Sequence, residues 1–279
     1  MIDKKNILGV GITNATKKEI LEYIVKNLEN FKEKFFIVTP NPEFLVLASK
    51  NSTFKNILNK ADLASADGVG VMVASKILGK PLKDRFTGVD LVKSLCKEVA
   101  EKPITVGFLG GRSNVAEKTA ECLRKKYPGL RVAFVGEEWP NGVADARQPR
   151  ISDDARKFAR GPAASFPPAN APSTSSVRVV GSPSSGVTPQ VDILFVAFGA
   201  PKQEFWINEN LNRIPVKVAI GVGGAFDYIS GKTPRAPAFI RIIGFEWLFR
   251  LIVQPWRWKR QTALLEFIWL VVKEKLKKN

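Results

Sequence analysis

The chain alternates short apolar runs with longer segments of helical periodicity. The apolar runs predict strands at Asn6–Ile12, Lys34–Val38, Asp62–Ala66, Ile104–Leu109, Arg131–Val135, Asp192–Phe198 and Lys217–Val222. Between them, apolar residues that recur every three or four positions predict helices at Lys17–Leu28, Val69–Leu78, Asp90–Lys102, Asn114–Tyr127 and Pro201–Asn212. Nearly continuous apolar strands that alternate with helices are typical of a mostly parallel α/β sheet with helices on both faces.

One long segment, residues 139–190, interrupts this alternation. Of its 52 residues, 28 are Pro, Ala, Ser or Gly, and it contains no Leu and no Glu. It carries five Arg and one Lys, whereas the rest of the chain has ten Arg and 27 Lys. Such a composition buries too little apolar surface to offset the entropy of ordering. We interpret the segment as a disordered insertion or as a stretch that is not native to this sequence, and we place no chemistry in it.

The charge pattern changes near the end of the chain. Residues 235–279 contain ten Lys or Arg, three Glu and four of the six Trp. We therefore predict a Rossmann-like core at 1–234, with the atypical segment inside it, and a helical basic and aromatic appendage at 235–279. Such an appendage suits a membrane surface, with rings at headgroup level and cations on anionic lipid. The alternative is a helix that packs in the core and shows a solvated basic face.

Composition excludes several classes of chemistry. The chain has no His, which removes Ser-His-Asp and Cys-His mechanisms and the common His-based metal sites. Because it also lacks an Asp-x-Asp motif, we expect no metal and no bound cofactor. The net charge of +17 indicates an anionic partner. A start without a signal peptide, and no apolar run near the ~18 residues of a membrane span, predict a cytoplasmic protein.

Polar turns follow two of the predicted strands. Asp67-Gly68 follows the strand Asp62–Ala66, and Thr39-Pro-Asn-Pro42 follows Lys34–Val38. In an open α/β sheet, ligands bind at the carboxyl ends of the strands. In a chain without His, Asp67 is therefore the best candidate for a catalytic base, although an Asp at this place often only caps the next helix. Arg85, in the polar loop Lys83–Gly88, is a second candidate site residue. The alternative interpretation is that it is an ordinary arginine on the protein surface.

Three glycine-rich turns offer further candidates. Gly107-Phe-Leu-Gly-Gly-Arg-Ser113 stands between a strand and a helix, where the backbone can approach a phosphate or nucleoside. Gly221-Val-Gly-Gly-Ala-Phe-Asp227 is closer to a dinucleotide fingerprint but lacks the acidic residue expected about 20 positions later. Ala197-Phe-Gly-Ala-Pro-Lys-Gln-Glu204 supplies Gln203 at a helix start. Each is also explained as a tight strand-to-helix turn.

Taken in order along the chain, these motifs resemble the WecG/TagA/CpsF glycosyltransferase family. The resemblance is carried by Thr39–Pro42, Ala66–Gly68, Arg85–Gly88, Gly110-Gly111, Phe198–Glu204, Gly221–Asp227, Arg235–Pro237, Glu246–Arg250 and Pro255–Arg260. It covers about residues 6–138 and 191–265. It leaves out residues 139–190, where the family would have a shorter strand–helix stretch.

The resemblance implies an inverting, metal-independent transfer of N-acetylmannosamine from UDP-ManNAc to N-acetylglucosamine linked to undecaprenyl diphosphate. This reaction serves the synthesis of teichoic acid or a related surface polysaccharide, and so cell wall biogenesis. The implied partners are a UDP-sugar, a polyprenyl-diphosphate-linked acceptor and the cytoplasmic membrane, with the enzyme held peripherally at its inner face. Nucleic acid is not an expected partner, and the sequence leaves a homo-oligomer open.

The resemblance also assigns roles to residues. Asp67 aligns with the family's base, and the substrate-site residues align with Thr39, Asn41, Arg85, Gln203 and Asp227; we add the glycine turn at Gly110 and Gly111. Tail arginines that would meet the diphosphate align with Arg250, Arg257 and Arg260. On a continuous helix these three would share one face, whereas Pro255 between the first two can break that helix.

Two other interpretations stay open from the residues alone. One is a nucleotide-dependent oxidoreductase on a Rossmann-like sheet, against which the poor glycine fingerprints and the missing ribose carboxylate count. The other is a non-catalytic module that binds an anionic membrane or nucleic acid through the basic tail. This second interpretation explains the charge but not the polar turns at the strand ends.

Overall fold

The structure is a computed structural model that describes residues 2–29, 33–111, 114–139, 178–179, 189–255 and 258–277. The strands are β1 (Lys4–Ile7), β2 (Val10–Thr13), β3 (Phe35–Val38), β4 (Leu63–Ala64), β5 (Thr105–Gly110), β6 (Arg131–Gly136), β7 (Arg178–Val179), β8 (Val191–Ala197) and β9 (Val216–Gly221). The predictions made for residues 139–190 fall almost wholly outside the described residues.

The helices of the described residues lie between the strands, singly or in pairs, and four of them follow one another after β9. They are α1 (Lys17–Glu29), α2 (Pro42–Lys50), α3 (Ser52–Lys60), α4 (Val69–Ile77), α5 (Gly88–Val99), α6 (Val115–Lys126), α7 (Lys202–Asn210), α8 (Ala225–Ile229), α9 (Ala238–Ile242), α10 (Glu246–Val253) and α11 (Trp258–Leu276). A short 3₁₀ turn, Leu211–Arg213, follows α7. The predicted α/β alternation is confirmed.

The chain divides into two compact units, which we describe one at a time. Unit 1 consists of Met1–Ile20, Val38–Thr87 and Thr233–Asn279, and unit 2 consists of Leu21–Ile37 and Gly88–Lys232. The tail from residue 235 onward thus groups with the polar turns after β3 and β4. The predicted domain boundary between residues 234 and 235 stays a prediction.

Unit 2 contains six neighbouring strands of the seven-stranded main sheet, in the order β3-β9-β8-β5-β6-β7. The first five strands pair in parallel, and β7 runs antiparallel to β6. The inner strands β5 and β8 consist mostly of fully buried apolar residues, as the continuous apolar runs predict. Phe108 of β5 stacks on Phe195 of β8 with ring centroids 5.5 Å apart. The mostly parallel sheet is therefore confirmed.

Unit 1 begins with a hairpin rather than with the single strand predicted at Asn6–Ile12. β1 and β2 pair antiparallel, with Lys4 opposite Thr13. The turn between them has positive φ at two successive residues, 52° at Leu8 and 83° at Gly9. Two such residues form the tight turn whose twist suits a hairpin, and they reverse the chain inside the apolar run. The single-strand prediction is wrong for that reason.

Local capping explains several helices of unit 1. The predicted capping box before α1 is confirmed, because Glu19 N–H donates to Thr16 Oγ1 at 3.2 Å and Thr16 N–H to Glu19 Oε2 at 2.6 Å. Two nine-residue helices, α2 and α3, were not among the predicted elements. Asn41 and Asn51 cap them through their side chains.

The described part of the unit 1 tail contains the three helices α9, α10 and α11. α10 ends at Val253 and α11 begins at Trp258, so Arg250 and Arg260 do not lie on one continuous helix. The expectation that Arg250, Arg257 and Arg260 share one helix face required a continuous helix, so that expectation is wrong. Phe267 and Val271 of α11 are buried within unit 1, at 4% and 2% exposure. In the described part of the chain, no helix combines the length and apolarity needed to cross a bilayer.

Candidate active site

Backbone hydrogen bonds align the polar turns of unit 1. Asp67 N–H donates to the Pro40 carbonyl at 2.8 Å, and Phe86 N–H donates to the Ala66 carbonyl at 3.0 Å. The turn after β3, the turn after β4 and the loop before α5 therefore lie side by side. This arrangement brings together four predicted site residues, which are Thr39, Asn41, Asp67 and Arg85.

Each turn residue of this group has its own local setting. Thr39 is buried, and Asn41 Oδ1 accepts from Phe44 N–H at 3.1 Å, so its side chain starts α2. Asp67 is half-buried. Gly68, with φ at 103°, is the N-cap residue of α4, and Asp67 lies one residue before it. A role for Asp67 as the N-cap residue of the next helix is therefore not what the structure shows.

Arg85 is anchored to the tail rather than extended over the surface. Its Nη2 donates to the Arg241 carbonyl at the end of α9, at 3.3 Å, and the residue is half-buried. A second contact nearby joins Gly244 to the first residue of α4, because a Cβ at Gly244 would lie 3.0 Å from Val69. Residues 241–244 thus pack against the loop and the helix start that flank the Asp67 turn.

The tail arginines contribute further positive charge to unit 1. Arg250 is half-buried on α10. Arg257 lies outside the described residues, and the side chain of Arg260 in α11 is not described either. Arg235, which the site prediction omitted, lies with Nε 3.6 Å from Glu246 Oε1, and its Nη2 donates to Thr87 Oγ1 at 3.4 Å. Its motif was visible in the sequence, but nothing there distinguished it from a surface arginine.

Unit 2 carries its own group of turns at the carboxyl ends of β5, β8 and β9. Gly110 has φ at 95°, and a Cβ there would lie 2.8 Å from Phe198 Cδ1. Gly111 N–H donates to the Ala197 carbonyl at 3.3 Å. Gly110 therefore requires glycine for conformation and for space, and Gly111, with φ at 86°, requires it for conformation. A contact of Gly110 or Gly111 with substrate stays a prediction.

Gln203 lies at the centre of the unit 2 turns and is fully buried. Its Oε1 accepts from Gly199 N–H at 3.2 Å and from Gly223 N–H at 2.9 Å. Its Nε2 donates to Glu204 Oε1 at 2.6 Å. Both ends of the amide are thus bonded within unit 2, and the predicted substrate contact of Gln203 stays a prediction.

Glu204 is a residue that the sequence did not single out as part of the site. It is fully buried, and burial raises the pKa of its carboxyl to about 8. Its Oε2 has no hydrogen-bond partner among the described residues. In the sequence, a Glu in the first turn of a helix is normally a solvated residue near the helix dipole, so no local signal indicates this burial.

Asp227 lies in the first turn of α8 and is half-buried. The helix is tied to α6 because Thr119 Oγ1 donates to the Phe226 carbonyl at 3.2 Å. The described residues include no group of three or more Cys, Asp or Glu side chains able to hold a metal ion. The groups available for catalysis and binding at the turns of unit 1 and at the turns of unit 2 are therefore carboxylates, arginines, amides and backbone dipoles.

Comparisons with known proteins match most of the length of this chain. The sequence model of the glycosyl transferase WecG/TagA/CpsF family matches residues 5–154 and 188–279. An N-acetylglucosaminyldiphosphoundecaprenol N-acetyl-beta-D-mannosaminyltransferase from Bacillus spizizenii is 34% identical over 238 residues, or 85% of this chain and 79% of the relative. Proteins of the same name from Bacillus subtilis and Staphylococcus aureus are 27% and 28% identical over 275 residues, with 93% and 94% of each relative covered.

Proposed function

The chain belongs to the WecG/TagA/CpsF glycosyltransferase family, and we propose that it moves N-acetylmannosamine from UDP-ManNAc to N-acetylglucosamine on undecaprenyl diphosphate. That it is a glycosyltransferase follows from the family. The named relatives support the transferred sugar and the lipid-linked acceptor. The UDP donor, inversion at the sugar, independence of metal and a place in teichoic acid or surface polysaccharide synthesis belong to our proposal.

The observation that carries the proposal is the alignment of the Asp67 turn with Asn41 and Arg85 in unit 1. We assign the Asp67 carboxylate as the base that accepts the proton of the acceptor hydroxyl. As that oxygen bonds to C1 of the sugar, the bond from C1 to the diphosphate breaks, and attack from the opposite side inverts the configuration. One carboxylate suffices because a nucleoside diphosphate is already a good leaving group.

The proposal also needs stabilisation of the negative charge that develops on the leaving diphosphate. Arg85 and Arg250 of unit 1 are positive and half-buried, so solvent screens them less than it screens exposed cations. We assign Arg85 to the leaving diphosphate, and Arg250 to the diphosphate of the lipid-linked acceptor, together with Arg257 and Arg260 by family alignment. Because these cations do the work often given to a divalent ion, the reaction we propose needs no metal and no cofactor.

We further propose that the tail holds the enzyme at the inner face of the cell membrane, where a polyprenyl acceptor resides. Its helices expose large apolar side chains, among them Ile242, Ile252 and Leu265 at 78%, 73% and 73%. Residues 235–279 also carry a net charge of +7, from ten Lys or Arg and three Glu. Exposed apolar groups beside many cations are the combination that binds an anionic bilayer.

A binding and release experiment tests the donor. Calorimetry should detect binding of UDP and none of NAD(P)H, and a panel of UDP-sugars with a short-chain lipid-diphosphate acceptor should release UDP only with UDP-ManNAc. If UDP is released only with a different UDP-sugar, that sugar and not UDP-ManNAc is the donor. Binding of NAD(P)H with no UDP release would contradict the proposed function.

A further inference from the structure

Unit 2 contains a buried carboxyl that the proposed reaction does not use. Glu204 is fully buried in the first turn of α7, and its carboxyl accepts from Gln203 Nε2 through Oε1 and from its own backbone amide. Its second oxygen, Oε2, has no partner among the described residues. Burying a carboxyl with so few bonds is costly, so its presence at a strand-end turn calls for a reason.

The neighbour of this carboxyl joins two loops. Gln203 Oε1 accepts from Gly199 N–H, in the loop after β8, and from Gly223 N–H, in the loop after β9. The two strands are adjacent and parallel, with Val196 opposite Gly221. A single amide oxygen therefore ties together two loops at the carboxyl edge of the sheet, where open α/β folds bind ligands.

An amide side chain can make these two bonds in only one of its two orientations. If it were flipped, its NH₂ group would face the N–H groups of Gly199 and Gly223, and donor would meet donor. Glu204 Oε1 accepts from the amide nitrogen at 2.6 Å and so favours the orientation that ties the loops. Close packing against β9 also restricts the two side chains, because a Cβ at Gly221 would lie 2.9 Å from both Gln203 Nε2 and Glu204 Oε1.

We propose that Glu204 is a positioning residue for sugar transfer: through Gln203 it holds the loops after β8 and β9, and with them the start of α8, which carries Asp227. This inference rests on the proposed function for its kinetic part. Its structural part is that the N–H groups of Gly199 and Gly223 stay hydrogen-bonded, which can be measured without an activity assay. Glu204 acts as a neutral acceptor in this role, so an amide in its place preserves the hold.

Protonation supplies a distinctive signature. Burial raises the pKa of Glu204 to about 8, against an ordinary 4.5, so the folded protein keeps a proton that the unfolded chain releases. The contribution of this group to stability therefore falls as the pH rises from about 4.5 to about 8. Above pH 8 the carboxylate is charged, and opening the two loops to water is the way to solvate it.

The test compares Glu204→Gln and Glu204→Ala with the wild type, and Glu98→Gln serves as a matched control on the exposed face of α5. Residue-resolved hydrogen exchange at pH 7 and pH 9, expressed as protection factors, follows the amides of Gly199 and Gly223. We expect wild type and Glu98→Gln to lose about tenfold in protection at pH 9. Glu204→Gln should keep its protection at both pH values, and Glu204→Ala should lack it at both.

Transfer kinetics supply the second readout. Glu204→Gln should retain kcat and KM at pH 7 and resist the loss of rate that the wild type shows above pH 8, whereas Glu204→Ala should lose roughly tenfold in kcat/KM. If Glu204→Ala does not fold, the wild type against Glu204→Gln still decides. Wild-type protection of the two amides in Glu204→Ala, or loss of their protection in Glu204→Gln at pH 7, would overturn the proposal. Absent transfer with the expected protection pattern would instead count against the proposed function.

Discussion

The two units use their polar turns in different ways. In unit 2, Gln203 and Glu204 are fully buried and their bonds go to the protein itself. In unit 1, backbone bonds such as Asp67 N–H to Pro40 align the turns, and the side chains of Asp67 and Arg85 are only half-buried. Polar residues of unit 2 therefore shape loops, whereas unit 1 offers charged side chains on turns that its backbone aligns.

The two units also differ in how much apolar surface they expose. Among the described residues, the large apolar side chains that are exposed all lie in unit 1, and most of them lie in its tail. Unit 2 buries its apolar residues in the sheet and its helices. The half-buried charged side chains of Asp67 and Arg85 and the exposed apolar side chains therefore lie in the same unit, unit 1.

The largest effect should follow from Asp67→Asn in unit 1. Loss of the base should lower the transfer rate by about 10²–10⁴, while UDP binding and the melting temperature stay near the wild-type values. Steady-state kinetics, calorimetry and thermal unfolding measure the three quantities. Asp62→Asn, the same change on an exposed carboxylate just before β4, is the control and should keep the full rate. Transfer by Asp67→Asn at the wild-type rate would remove Asp67 from the mechanism.

The next effect concerns the exposed apolar surface of unit 1. The double variant Ile242→Asp and Ile252→Asp removes two exposed apolar anchors and adds two negative charges. We expect roughly 100-fold weaker binding to vesicles with anionic lipid, since each change loses over 1 kcal/mol of interfacial contact. Vesicle sedimentation measures it. Val73→Asp, at an exposed apolar residue of α4 outside the tail, should bind nearly as the wild type does. Unchanged binding by the double variant would show that the tail is not the membrane surface.

A smaller effect should follow from Arg250→Gln. A charge-assisted bond to a phosphate contributes about 1.5–3 kcal/mol, so its loss should raise the KM for the diphosphate acceptor about tenfold or more. UDP binding should change less. The control is Arg213→Gln, which removes the same charge from an exposed arginine of unit 2. It should leave the KM for the acceptor unchanged. If both variants raise the KM equally, the effect is one of net charge and the assignment of Arg250 fails.

Gln203→Ala should lower the stability of the folded protein, in contrast to Asp67→Asn. The substitution leaves the N–H groups of Gly199 and Gly223 without their acceptor, at about 1–3 kcal/mol for a buried group. For a chain of this size the melting temperature should fall by roughly 2–10 °C. Thermal unfolding measures this shift. A Gln203→Ala variant that melts like the wild type but has lost UDP binding would instead make Gln203 a direct ligand contact.

The smallest expected effect is that of chelation, which should leave the transfer rate unchanged. Neither group of turns gathers three metal-ligating side chains among the described residues. Assays with EDTA, with and without added Mg²⁺ or Mn²⁺, measure it. Loss of turnover with EDTA that a divalent ion restores would contradict the metal-free reaction in both units.

The sequence predicted the architecture well where burial is uniform. Strands such as β5 and β8 are apolar on both faces, so their composition alone identifies them. It failed at β1 and β2, where the positive φ of Leu8 turns the chain within an apolar run. It also passed over α2 and α3, because nine residues give too few turns for a clear period and their asparagine caps look like ordinary turn residues.

The candidate site was predictable in part. The order of polar turns along the chain indicated Thr39, Asn41, Asp67 and Arg85, and the structure brings these four together in unit 1. The burial of Gln203 and Glu204 was not predictable, because it depends on bonds to a loop 20 residues away and on a neighbouring strand. Local sequence reports the type of a side chain, but long-range packing decides whether that side chain faces a ligand.

The most direct test of the account is the structure of the product. Wild-type enzyme with UDP-ManNAc and a short-chain lipid-diphosphate N-acetylglucosamine, in the presence of EDTA, should give UDP and a disaccharide whose new linkage has the anomeric configuration opposite to that of the donor. Nuclear magnetic resonance of the anomeric proton and carbon assigns that configuration, and Asp67→Asn should give almost no product. A retained configuration, or full product formation by Asp67→Asn, would contradict the assignment of Asp67 as the base of an inverting transfer.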